Sequence, residues 1–122
     1  MREKRKYVRL REPMDLVYKL AKKVKPQRSY STFIQDIGGG GIKILAKSDL
    51  REGDLLEMEI RIPGLKHPIE SIGEVVWFVT GPEANGKHQE AGVRFRDIHP
   101  VDLHRILEYI YTEALGHSFE ER

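Results

Sequence analysis

A chain of 122 residues is long enough to bury one real core and too short to suggest two domains. Hydrophobic residues make up 39% and charged residues 33%, which excludes a membrane-spanning helix and argues against global disorder. The net charge of +2 hides an asymmetry: residues 1–28 carry net +8 and the remainder net −6. A basic arm on an acidic body is a focused cationic patch, suited to nucleic acid, an anionic membrane surface or a small phosphorylated ligand.

Residues 1–12 show no apolar period and run into Pro13, which disfavours helix at Glu12. They are predicted to form a flexible arm. The arm is basic, but no apolar run follows Arg11, so it is not read as an export signal. The chain has no cysteine, and hence no disulfide, thiolate ligand or thiol nucleophile, as expected of a cytoplasmic protein.

Met14 to Leu20 alternates in polarity and reads as a strand, and Lys22 to Gln27, with Pro26, as a basic turn. From Tyr30 the chain is β-branched and aromatic, and Asp36 is predicted to close that strand. Gly38 to Gly41 then form a tight turn into a strand holding Ile42 and Ile44. Arg51-Glu52-Gly53-Asp54 is a turn signal. Leu56, Met58, Ile60 and Ile62 fall on one face, with Glu57, Glu59 and Arg61 on the other.

Pro63-Gly64 turns the chain again. Ile69 to Val79 is a long strand, and Thr80 to Lys87, with Asn85-Gly86, is a hairpin loop. Ala91, Val93 and Phe95 alternate with Gly92, Arg94 and Arg96. The period then switches. Pro100 fits a first helical position, Leu103, Ile106, Leu107, Ile110, Ala114 and Leu115 form an apolar stripe, and Gly116 fits a C-terminal cap. The tail 117–122 is expected to fray. Six strands with short turns and one terminal helix point to a mainly β fold, an antiparallel barrel covered by the helix, in a single domain spanning 13–116.

Two segments carry chemistry. Arg5 and Arg9 have the spacing Arg-x-x-x-Arg, and Asp36, Gly38 and Gly41 the spacing Asp-x-Gly-x-x-Gly. Taken alone, arginines in a basic arm are solvated charge, and an Asp ending a strand bonds its own turn. Together, in this order on a β-rich body that ends in Ala91-Gly92-Val93-Arg94-Phe95 and a Pro-initiated helix, they resemble the PilZ domain family. The resemblance covers nearly the whole chain. It implies a six-stranded antiparallel PilZ-like β-barrel with a C-terminal α-helix, and the bacterial second messenger cyclic di-GMP as ligand.

The family pattern places arginines at Arg5 and Arg9, an acidic or amide residue at Asp36 and glycine at Gly41. Gly38 stands where the pattern has serine. Lys4 matches a position that influences whether one nucleotide or a stacked pair is bound.

The side chains suit such a ligand. An arginine fork donates to guanine O6 and N7, stacks on a purine and pairs with phosphate. The Asp36 carboxylate can accept from the N1–H and amino donors of the guanine edge. Gly38, Gly40 and Gly41 allow close backbone approach and positive φ. Trp77 is weighed as an aromatic face near the ligand, but its apolar strand favours a place in the barrel wall.

Nothing in the sequence proposes catalysis. The glycine run lacks the Gly-Lys-Ser/Thr ending of a phosphate loop and precedes a strand. His67, His88, His99, His104 and His117 lack metal-binding spacing and read as surface or capping residues. No serine sits in a nucleophile elbow. No cofactor is expected.

The reading is a receptor without enzymatic activity that passes a conformational change to a partner protein. An adaptor that has lost the nucleotide is the alternative. A nucleic-acid binder is disfavoured by the acidic body and the lack of repeated aromatics.

Overall fold

The computed structural model describes residues 9–11, 13–21, 28–80 and 89–114. The turn at 22–27, most of the hairpin loop before Gln89, the Gly116 cap and the tail fall outside the described residues, as does most of the basic arm.

Seven strands and one helix are described: β1 (Arg9–Leu10), β2 (Met14–Leu20), β3 (Tyr30–Gly38), β4 (Gly41–Ala46), β5 (Leu55–Ile60), β6 (Ile69–Thr80), β7 (Gln89–Ile98) and α1 (Pro100–Ala114). Every pairing is antiparallel. The order β1-β3-β2-β5-β6-β7-β4, with β4 returning to β3, closes six strands into a barrel and leaves β1 as an extra strand on β3. Closure removes the exposed edges of those six strands.

The expected six-stranded barrel with a terminal helix is therefore present. The addition is β1, a two-residue piece of the arm, where Arg9 pairs with Gly38 and Leu10 with Ile37. That pairing draws β3 two residues past its expected end, so Asp36 lies within the strand rather than closing it.

The period-two reading of the strands explains the core. Leu56, Met58 and Ile60 point inward from β5, meeting Leu16 and Tyr18 of β2 and Ile34, Ile37, Ile42 and Ile44 of β3 and β4. Tyr18 is buried because its hydroxyl is satisfied: it accepts from the Lys47 amide at 2.9 Å and shares a hydrogen bond with Ser48 Oγ at 3.0 Å.

The turns follow their chemistry. Gly53 and Gly64 adopt φ of 93° and 92°, in the left-handed region that glycine enters without Cβ strain. Pro63-Gly64 sits under a hydrogen bond from the Leu65 amide to the Ile62 carbonyl at 3.1 Å, as a type II turn requires. Among the described glycines these two have positive φ. The expected tight turn at Gly38–Gly41 is present, with Gly39 and Gly40 joining β3 to β4, but it is made without positive φ.

The helix closes one side of the barrel. Ile106 and Ile110 of the apolar stripe are fully buried, Leu103 and Leu107 half-buried, and α1 packs on β1 and β3. His99 caps its start, accepting at Nδ1 from the Val101 amide at 3.1 Å. The helix thus backs the strand pair that carries Arg9 and Asp36.

Candidate functional site

An uninterrupted β3 would aim Asp36 at the core, on the same face as Thr32 and Ile34. It does not, because the register shifts between Ile34 and Asp36: Ile34 faces Ile44, while Asp36 faces Lys43 and Ile37 faces Ile42. The extra residue, Gln35, is a β-bulge that turns Asp36 to the outer face and leaves Ile37 in the core.

A second bulge acts likewise on β6. Val75 pairs with Val93 and Trp77 with Gly92, so Val76 is the extra residue. Val75 is buried, while Trp77 is 37% exposed. The expected place of Trp77 in the apolar barrel wall is thus corrected: the bulge rotates its indole out of the core.

The two bulges align a row of residues across four strands. Asp36 is opposite Lys43, Lys43 opposite Gly92, and Gly92 opposite Trp77. Such neighbours have Cβ positions about 5 Å apart. Gly92 supplies no side chain, and the indole fills that space. A Cβ on Gly92 would collide with Nε1 and Cε2 of Trp77 and stand 2.8 Å from Cδ1.

Arg9 reaches this row from β1. Its Nε donates to Asp36 Oδ1 at 2.7 Å, and its Nη2 pairs with the same oxygen. The Arg9 Nη2 also lies 3.5 Å from the Gly41 carbonyl. The pair is mostly buried, with 21% of the Arg9 side chain and 12% of the Asp36 side chain exposed. Both bonds fall on Oδ1, so no hydrogen bond to a described residue occupies Oδ2.

These residues line a cavity of about 440 Å³ with Arg11, Gly40, Lys43, Val76 and Arg94. Among the described residues four cations and one carboxylate line it, net +3. Arg94 is tied outside it: Glu74 Oε1 accepts from Arg94 Nη2 at 2.9 Å and from Arg96 Nη1 at 3.1 Å. The hydrogen bond from Arg94 is the main reason the Glu74 carboxyl stays below its ordinary value of 4.5.

The expected site residues thus divide. Arg9, Asp36, Gly40 and Gly41 line the cavity, and Gly38 is the β-partner of Arg9. Gly41 has a packing role: a Cβ there would collide with the Val93 carbonyl oxygen and stand 2.8 Å from Arg94 Cα, so glycine lets β4 approach β7. Lys4 and Arg5 lie outside the described residues. Sequence reasoning did not single out Lys43. Its only signal was a polar residue between Ile42 and Ile44, a pattern shared by every half-exposed strand.

The chain belongs to the PilZ domain family, whose model matches residues 3–112. Solved structures agree on the fold. The inhibitor of motility MotI/DgrA of Bacillus subtilis superposes with a TM-score of 0.78 at 22% identity, over 94% of this chain and 53% of that one. The PilZ domain of YcgR from Escherichia coli, solved with c-di-GMP, gives 0.65 at 18% identity, over 92% of this chain and 95% of that one. The K. pneumonia MrkH–c-di-GMP complex gives 0.68 at 20% identity, over 98% of this chain and 55% of that one. The chain therefore spans about half the length of the MotI and MrkH structures. No curated protein matches the sequence. Among the described residues, no helix is long and apolar enough to cross a membrane.

Proposed function

We propose that this chain is a cytoplasmic receptor for cyclic di-GMP that works without catalysis and signals to a partner protein. The observation that carries the reading is the convergence of Arg9 and Asp36, distant in sequence, with Trp77 in one cationic cavity. The ligand brings two phosphates and two guanines. Arg9, oriented by Asp36, offers its remaining N–H groups to guanine O6 and N7 or to phosphate. Asp36 Oδ2 accepts from the guanine N1–H or amino group. Trp77 offers a face for purine stacking. Gly40 leaves the backbone open to the ligand.

Lys4 and Arg5 supply further cations from the segment before Arg9, with Arg5 taking the partner role to Arg9. Bound nucleotide would change the surface presented to a partner, a population shift driven by the ligand's preference for one conformation.

Titration calorimetry with cyclic di-GMP tests the reading, and Trp77, the one tryptophan of the chain, gives a second readout by fluorescence. Saturable binding is expected, weakened at least tenfold in both Arg9→Ala and Asp36→Asn. Absence of heat and of fluorescence change at high micromolar ligand would overturn it.

A second reading, an adaptor that has lost the nucleotide, is favoured by Gly38 and by the Arg9–Asp36 pair, which partly satisfies the site from within. Loss of one neutral hydroxyl hydrogen bond, worth ~0.5–1.5 kcal/mol, weakens binding only roughly 2- to 13-fold. That reading predicts the same partner profile in pull-downs with and without nucleotide.

A further inference from the structure

We infer that Lys43 binds the phosphodiester of the nucleotide and is a determinant of affinity outside the arginine and Asp-x-Gly-x-x-Gly segments. The inference rests on the receptor reading above and adds a residue to it.

The charges in the cavity are not equivalent. Arg9 is engaged with Asp36 and Arg94 with Glu74. A ligand drawing fully on either must compete with a carboxylate already in place. Lys43 and Arg11 make no hydrogen bond or ion pair with a described residue. Arg11 is exposed, whereas Lys43 is half-buried in the central row.

Lys43 also has a carboxylate as its direct cross-strand neighbour and does not pair with it. Asp36 gives Oδ1 to Arg9 instead. An ammonium that is half-buried, set among other cations and unpaired with the carboxylate opposite it has no counterion of its own among the described residues. A concave surface with excess positive charge raises the local concentration of anions.

Geometry places the anion. On one side of Lys43 in the row lies Asp36, suited to a guanine edge. On the other is Gly92, covered by the Trp77 ring, suited to a purine face. A cyclic dinucleotide whose bases use those two features has its two phosphodiester linkages between them, and one of these falls over β4. Lys43 is the side chain that β4 presents there. Its flexible stem and three donors suit a point contact to a phosphate oxygen and need no fixed fork geometry.

The test is calorimetry with cyclic di-GMP on the intact chain, comparing Lys43→Gln, Lys43→Arg and Lys47→Gln. Lys47 is an exposed lysine of the same segment that does not line this cavity. Lys43→Gln is expected to weaken binding roughly tenfold, as loss of one partly screened charge-assisted hydrogen bond. It should also flatten the dependence of affinity on salt, while its melting temperature stays that of the parent. Lys43→Arg should recover most of the affinity, and Lys47→Gln should bind as the parent does.

If the parent binds and Lys43→Gln binds equally well, the phosphate role is overturned and the receptor reading stands. Equal weakening by Lys43→Gln and Lys47→Gln would reduce Lys43 to a share of the general field and overturn a direct contact. If the parent does not bind, the receptor reading fails and the Lys43 role fails with it.

Discussion

Two of the hollows formed by the described residues are nearly equal in size and opposite in charge. The cavity of about 440 Å³ at Arg9, Asp36 and Trp77 is lined by a net +3. The other, about 430 Å³, is lined by Glu57, Glu59, Glu70 and Asp97 with Lys19, a net −3 when His99 is neutral. One long strand serves both, Glu70 to Ile72 facing the acidic hollow and Val76 and Trp77 the basic one. Volume therefore does not distinguish them. Charge does, and backbone irregularity only in part: the bulges at Gln35 and Val76 serve the basic hollow, while at the acidic one the β2–β5 and β5–β6 ladders run in unbroken register and the β6–β7 ladder shifts at Ile72/Gly73. An unbroken strand gives a solvated face. A bulge re-aims single residues and so assembles a carboxylate and an indole on a face that alternation would deny them.

The largest effect is expected at Gly41. Gly41→Ala sets a methyl group against the Val93 carbonyl oxygen, and backbone cannot yield as a side-chain tip does. Forcing β4 from β7 is expected to cost about 3 kcal/mol, which lowers the melting temperature by roughly 10 °C for a domain of this size. Nucleotide binding should be lost with it. A melt within 2 °C of the parent (roughly 0.5 kcal/mol) would show that the seam tolerates separation.

Gly92→Ala is a smaller change. The three atoms nearest the new methyl all belong to the indole of Trp77, a half-exposed side chain that can move. Stability should fall by less than about 1 kcal/mol, while the ring loses its place in the row. Cyclic di-GMP affinity is expected to drop several-fold, and the emission of the sole tryptophan to shift in the unliganded protein. Unchanged emission and affinity would remove Trp77 from the site.

In the acidic hollow, Glu59 is directly opposite Glu70, a like-charge pair. Glu70→Lys should convert repulsion into attraction and raise stability by ~0.2–1 kcal/mol. Affinity for cyclic di-GMP should stay within about twofold, since an exposed charge of the distant hollow is screened. Melting and titration of the same variant check both halves. An affinity change as large as that of Lys43→Gln would mean the two hollows act as one field.

These contrasts also mark what was legible in the sequence. Leu56, Met58 and Ile60 announced β5 because alternation is the direct image of a half-buried strand. Arg9 and Asp36 were legible by spacing, but their meeting depends on the pairing of β1 with β3 and on the bulge at Gln35. Strand β1 was not, because two residues show no period; Arg9 and Leu10 are strand only through pairing with β3. The outward turn of Trp77 was hidden for the opposite reason. Val75, Val76, Trp77, Phe78 and Val79 are a continuous apolar run, and nothing in such a run marks where a bulge exchanges its faces. Lys43 became significant only when the registers brought Asp36 and Gly92 to its two sides.

The smallest expected effect concerns how tightly Arg94 is held at the rim of the basic cavity. Glu74 is held below its ordinary value of 4.5, first by the hydrogen bond from Arg94 and further by the charges of Arg94 and Arg96, against a desolvation penalty that raises it. A carboxyl depressed in the folded state contributes stability that is fully present above its unfolded value and is lost as pH falls through the folded one. The window therefore lies below pH 4.5. Exposure screens the pair, so the change in stability is expected to be slight. Melting curves of the parent and Glu74→Gln should differ by a small constant amount near neutrality and converge as pH drops below 4.5. Because Arg94 loses a competitor when Glu74 is protonated or replaced, Glu74→Gln should bind cyclic di-GMP slightly more tightly at neutral pH. Weaker binding by that variant would mean that Glu74 orients Arg94 for the ligand rather than restraining it.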